Sequence, residues 1–244
     1  MTILEFIQSN EPTDRSRMQT IYGEGGTGKT TYACSFPDPL LIPTEVGFRD
    51  LKVDHIPLVK TYMELLTAIN GLITIEELPY KTVVLDSGDW VEPMIEADLQ
   101  AEGFDMDYGK GASEIGLRFK RVMDGLRVLH ETHDVNIIVI CHAHAVTVHR
   151  PEGGEYDRWM PKLSRKSCEY LIEGCDEVGY VFFDTAVVTE KGAFGKEQGV
   201  AHQTGARCIG YAPHGAWKAK NRFRSGEVPN RIPLSYEEYK KLLP

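Results

Sequence analysis

Gly23-Glu24-Gly25-Gly26-Thr27-Gly28-Lys29-Thr30 fits the pattern GxxxxGK[ST] at every fixed position. It lies between the strand-like run MQTIY and the helical stretch TTYACSF, which is the context the pattern requires. Glycines let successive backbone N–H groups turn inward around phosphate oxygens. The helix that follows adds its positive end. Lys29 is then placed to reach the β- and γ-phosphates of ATP, and Thr30 to hold Mg²⁺. The expected nucleotide contacts run from Gly23 through Thr31. A merely structural Gly-rich turn is the other reading of the loop.

The rest of the chain suits an α/β domain built around that loop. Apolar residues make up 42% and charged residues 26%, which excludes a disordered chain. The longest apolar run, Ile137–Cys141, is far short of the ~20 residues that span a bilayer. The N-terminus carries Glu5 inside its short apolar stretch and no basic segment, so it does not read as a secretory signal. Cysteines 34, 141, 168, 175 and 208 are scattered, with no CxxC, and the expected location is a reducing cytoplasm.

Residues 9–16 are a polar break, so an arm is expected over 1–16 and one domain over 17–244. Buried β-branched runs such as Thr82–Leu85 and Val135–Cys141 alternate with helical periods. Ile115, Phe119, Val122, Leu126 and Leu129 mark one face of an amphipathic helix. This alternation predicts a mostly parallel sheet with helices on both faces. Beyond about residue 176, short strand-like pieces (Val178–Phe183, Ala186–Thr189, Arg207–Tyr211, Ala216–Lys220) are separated by Gly turns. They predict an antiparallel extension of the same sheet.

Three features narrow the class of phosphate loop. Glu24 stands where partition and nitrogenase-like ATPases carry a Lys that crosses to a partner's phosphates. No N-K-x-D guanine-reading motif occurs, and no LSGGQ-like segment. Asp86 ends the strand KTVVLD and is the candidate second acid that holds Mg²⁺, with an N-cap as its other use. Ser87 follows it rather than Glu, so the catalytic base is expected elsewhere. Glu45, just after Leu40–Thr44, would lie at the carboxyl edge of the sheet, where ligands bind in parallel α/β folds. It is the candidate for orienting the attacking water, or else a solvated loop carboxylate.

This Walker A loop, the Glu after the second strand and the Asp without a following Glu together resemble the RecA-like ATPases. KTVVLDS, DYGKGASEIGLRFKRVMDGL, VNIIVICHAH and LIEGCDEVGYVF resemble, more narrowly, phage-encoded RecA-like ATPases of recombination and single-strand-annealing modules. The resemblance covers roughly residues 17–236. It implies a three-layer RecA-like core in which the strand ending at Cys141 lies between the P-loop strand and the Asp86 strand. His142 would then occupy the sensor position facing the γ-phosphate. Packing, or a metal site shared with His144 and His149, are the other readings of that histidine. The loop after it, Ala145–Pro161, would contact DNA. It carries His149, Arg150, Arg158 and Trp159, with Lys162, Arg165 and Lys166 beyond. Cations with an interleaved aromatic suit a single strand. Glu152, Glu155 and Asp157 oppose them, and the whole chain has a net charge of −9, so weak, salt-sensitive binding is expected. Lys220 and Arg222 in KNRF look like the cation pair that hexameric relatives extend to a neighbour's γ-phosphate. DNA contact or simple solvation are their alternatives. Trp90 reads as packing.

The expected function is therefore a Mg·ATP-dependent ATPase acting on single-stranded DNA. It would be a homo-oligomer with intersubunit sites, with a single-strand-binding or replisome protein as a further partner, and no membrane. The competing expectations are a P-loop small-molecule kinase, using Arg150, Arg158 and Arg165 as a lid, and a nucleotide-gated replisome module with little hydrolysis.

Overall fold

A computed structural model describes residues 15–191, 197–223 and 228–243, with the backbone alone at 186–191 and 197–203. Most of the arm expected over 1–16 therefore lies outside the described residues, as does most of the turn after Phe223.

In chain order the elements are β1 (Met18–Gly23), α1 (Lys29–Ala33), β2 (Pro39–Pro43), β3 (Asp54–His55), α2 (Tyr62–Ile73) and β4 (Thr82–Asp86). There follow α3 (Val91–Ala101), α4 (Lys110–His133), β5 (Asn136–His149), β6 (Glu155–Pro161) and α5 (Arg165–Gly174). The chain closes with β7 (Glu177–Lys191), β8 (Glu197–Gly210), β9 (Ile232–Pro233) and α6 (Tyr236–Lys240). The sheet runs β3-β2-β4-β5-β1-β7-β8-β9, with β6 attached to β5. From β3 to β7 the pairings are parallel, and β8 and β9 are antiparallel. The expected strand order holds: β5 lies between the P-loop strand β1 and the Asp86 strand β4.

Successive strand residues point to opposite faces, and both faces are covered, which is why the central strands are apolar throughout. On one face, Tyr22, Val83, Leu85, Ile137 and Val139 pack against α2 to α5, with Leu65, Ile95, Phe119, Leu126 and Leu171 among the buried contacts. On the other, Ile21, Val84, Ile138, Ile140 and Ile209 pack against Tyr32, Phe36 and Tyr239 of the α1 and α6 regions. The periodic face expected around Phe119, Val122, Leu126 and Leu129 is the buried stripe of α4, a 24-residue helix. A capping box at Thr61 and Glu64 starts α2.

Two segments differ from the sequence reading. Ala145–Pro161 is not a loop. β5 continues past Cys141 to His149 and pairs with β6 in an antiparallel hairpin, from Ala143↔Pro161 to His149↔Glu155. Gly153 and Gly154, both at positive φ, turn its tip. Val178–Phe183 and Ala186–Thr189 are one strand, β7, interrupted only by a register shift between Phe183 and Thr185. Ala216–Lys220 forms isolated bridges rather than a strand, Trp159↔Trp217 and Val178↔Lys220.

Candidate nucleotide site

The loop from Gly23 to Thr30 joins β1 to α1 at the carboxyl edge of the sheet. Gly26 and Gly28 have φ of 77° and 89°, a region that side chains resist. Gly23 is needed for space, because a Cβ there would lie 2.2 Å from the Val181 carbonyl oxygen of β7. Thr27 Oγ1 donates to the Glu24 carbonyl at 2.9 Å and braces the loop. The Lys29 ammonium donates back to the carbonyls of Gly23 (3.0 Å) and Glu24 (2.8 Å). Burial lowers the Lys29 pKa, while Asp86, Asp89 and Glu45 act to raise it. Glu24, Gly25, Gly26 and Thr31 are exposed along the outside of the loop.

Thr30 Oγ1 donates to Asp86 Oδ2 at 2.7 Å, so the loop and the end of β4 already touch. Burial pushes the Asp86 carboxyl up to about 6, with nearby Glu45 adding to the rise. Thr44 at the end of β2 exchanges two hydrogen bonds with the Ser87 backbone, at 2.8 and 2.6 Å. This lock places the next residue, Glu45, near the Asp86 end of β4.

Glu45 is half-buried, and its Oε2 accepts from the Trp90 indole at 2.9 Å. Trp90 is 46% exposed, so it orients Glu45 rather than filling the core. His142 pairs in register with Gly23 and so sits beside the start of the loop. Its Nδ1 lies 2.9 Å from Asp89 Oδ2, and its backbone N–H donates to Oδ1, also at 2.9 Å. Ser87 Oγ donates to the same carboxylate at 2.8 Å. The bond to Asp89 raises the His142 pKa and leaves Nε2 as the ring nitrogen without that partner. Glu45, Asp89, Trp90, His142, His144 and Lys162 line one cleft of about 550 Å³.

Lys29, Thr30, Asp86, Glu45 and His142 are thus brought together where β1, β2 and β4 end and where β5 passes from its parallel partners into the hairpin. Asp89 and Trp90 belong with them, and sequence reasoning missed both roles. Their one local signal was the run DSGDW, in which a second acid follows Asp86 by three positions.

Lys220 and Arg222 lie apart from this group. The Lys220 ammonium donates to the carbonyls of Ile172 (2.8 Å), Glu173 (3.3 Å) and Cys175 (2.6 Å), closing the end of α5. Arg222 pairs with Asp176 at 2.8 Å and keeps 60% of its side chain exposed. On the β5–β6 hairpin, Arg150 and Arg158 sit 4.9 and 5.2 Å from the centre of the Tyr156 ring. Arg165 pairs with Glu169 within α5. Trp159 is half-buried and stacks on Tyr180 at 6.1 Å, so it is committed to packing. His149 pairs with Glu155 on the hairpin while His142 holds Asp89, so the two histidines answer to different acids.

A solved structure titled "Crystal structure of the RadB recombinase" is similar at 18% identity and a TM-score of 0.45, covering 80% of this chain and 87% of that one. No curated protein matches the sequence. Among the described residues no helix is long and apolar enough to cross a membrane. The AAA domain family matches over residues 15–223, nearly the whole of the described core, and the chain belongs to that family.

Proposed function

We propose that the protein binds Mg·ATP in this loop, hydrolyses it with Glu45 as the water-orienting base, and couples the cycle to single-stranded DNA. The observation that supports it best is the convergence of Lys29, the Thr30–Asp86 pair, Glu45 and His142 at one edge of the sheet. Lys29 gives up its two loop carbonyls for the β- and γ-phosphate oxygens. The buried Asp86 carboxylate and the Thr30 hydroxyl, already in contact, are hard oxygen donors suited to Mg²⁺. Bound there, Mg²⁺ would neutralise charge on the β- and γ-oxygens. Glu45, steadied by Trp90, accepts a hydrogen bond from water on the γ side. His142, held by Asp89, turns toward the same side and senses whether a γ-phosphate is present.

Protonation of Asp86 gives a pH test. Below about 6 the carboxyl is neutral and a poor cation ligand, and above about 6 it is ionised. The Mg²⁺ concentration needed for half-maximal ATP binding should rise more steeply in the wild type than in Asp86→Asn as pH falls through that value. Equal slopes in a magnesium titration would remove Asp86 from the cation site.

The DNA surface we assign is the β5–β6 hairpin, where Arg150 and Arg158 flank Tyr156 and His149, Lys162 and Lys166 stand exposed nearby. Glu152, Glu155 and Asp157 weaken the field, so binding should be salt-sensitive and strengthened by ATP-driven assembly. Fluorescence anisotropy with a labelled single strand tests this in ATP, in ADP and without nucleotide. Arg150→Ala/Arg158→Ala should lose affinity and flatten the salt dependence by about one to two charges. An unchanged salt slope would move the DNA elsewhere.

Assembly supplies the remaining cation in this proposal. Arg222, exposed and held by one carboxylate, is free to exchange Asp176 for a neighbour's γ-phosphate, while Lys220 fixes the segment that carries it. A cation supplied in trans is worth about 10³-fold or more in turnover. Arg222→Ala and Lys29→Ala subunits should each be inactive alone and recover part of the ATPase when mixed. No recovery, with co-assembly verified by cross-linking, would confine the active site to one chain.

A further inference from the structure

Asp86, Glu45 and His142 mark the terminal-phosphate end of the loop. They stand at the ends of β4 and β2 and midway along β5, strands that all lie on one side of β1. β7 and β8 stand on the other side. A nucleotide threaded through the loop therefore leaves toward β7 and β8 with its nucleoside end. On that side lies a cavity of about 310 Å³, lined among others by Gly28, Thr31, Ser35, Arg207, Leu234 and Glu237.

Arg207 gives this cavity its chemistry. It pairs with Phe183 across β7 and β8, and its guanidinium carbon lies 5.8 Å from the centre of that ring. The side chain is pressed against the phosphate loop itself. A Cβ built on Gly28 would lie 2.9 Å from Arg207 Nη1 and 3.3 Å from its Cδ. Gly28 is required for its φ of 89°, and the tip of the arginine lies directly over it. Among the described residues the guanidinium has no carboxylate partner, although it is exposed. Lys29, by contrast, is held by two carbonyls of the loop. A planar fork of donors standing unpaired beside a phosphate loop is suited to phosphate oxygens.

We infer that Arg207 and this cavity form the nucleoside end of the site. The guanidinium takes the α-phosphate next to Gly28, and the ribose and base enter the cavity over Thr31 and Ser35. The ligand class is a nucleoside di- or triphosphate. Leu234 offers the base an apolar wall, and Ser35 and Glu237 offer polar atoms at the rim. The inference rests on the proposed phosphate-loop reading, so the test separates the two.

Isothermal titration with ADP and with inorganic tripolyphosphate, on wild type and three variants, reads each part. Lys29→Ala should weaken both ligands. Arg207→Ala should weaken both by about tenfold or more, the usual range for a lost charge-assisted bond. Ser35→Trp, which fills the cavity from an exposed position, should weaken ADP about tenfold and leave tripolyphosphate within about twofold of wild type. Thermal unfolding of each variant confirms that it is folded. If Lys29→Ala loses both ligands while Arg207→Ala and Ser35→Trp bind ADP as the wild type does, the nucleoside end lies elsewhere and the inference is overturned. If Lys29→Ala keeps both ligands, the phosphate-loop reading falls and takes the inference with it.

Discussion

Lys29→Ala should bind ATP far more weakly than the wild type and turn it over at least about a hundredfold more slowly. The lysine is the one side chain inside the loop that can place positive charge on the β- and γ-oxygens. Its present partners are carbonyls of the same loop, at 3.0 and 2.8 Å, which a phosphate can replace without moving the backbone. Removing it also strips a nearby countercharge from Asp86, Asp89 and Glu45. That acidic cluster would then face the triphosphate directly, adding repulsion to the lost attraction. The fold should survive, because Lys29 bonds only within the loop. Equilibrium binding of a fluorescent ATP analogue, with circular dichroism as the control, reads both halves. Wild-type affinity in a folded Lys29→Ala would remove the loop from nucleotide binding.

Glu45→Gln should behave differently: ATP still binds, but hydrolysis falls by about 10²- to 10⁴-fold, the range for loss of a positioned base. Glutamine keeps the shape and can still accept from the Trp90 indole, so only the charge and the proton-accepting oxygen are removed. The separation of binding from turnover is the signature of a group that acts in the transition state. Single-turnover hydrolysis checks it. A rate within about threefold of wild type would place the base elsewhere, and Asp89 is too tied up by Ser87 and His142 to substitute readily.

The parts legible in the sequence are those whose signal is local or follows from a general rule. Gly23–Thr30 announces itself because one backbone conformation demands glycines at fixed places. The placing of Asp86 and Glu45 at the carboxyl edge of the sheet follows from strand direction in a parallel sheet. The position of β5 between β1 and β4 came with the family resemblance, and the pairing confirms it.

The parts that were not legible depend on contacts between distant segments. Nothing in DSGDW says that Asp89 will accept from His142, or that Trp90 will reach Glu45, until β4 and β5 are side by side. The hairpin after Cys141 escaped although Val146 and Val148 alternate with Thr147 and His149, because the family resemblance assigned that stretch to a loop. Lys220 looked like an outward cation because helix closure by a residue so far along the chain leaves no local trace. Arg207 had no motif around it, and its place against Gly28 is created by β7 lying between β1 and β8.

The central claim is that this convergence of Lys29, Thr30, Asp86, Glu45 and His142 turns over ATP for work on a single strand. Steady-state phosphate release, measured with Mg·ATP in the presence and absence of a single-stranded oligonucleotide, tests it most directly. The account predicts slow release from the protein alone and a clear acceleration by the oligonucleotide, with both lost in Glu45→Gln. Tight ATP binding with no phosphate release under either condition would contradict it, and would make the protein a nucleotide-gated binding module instead.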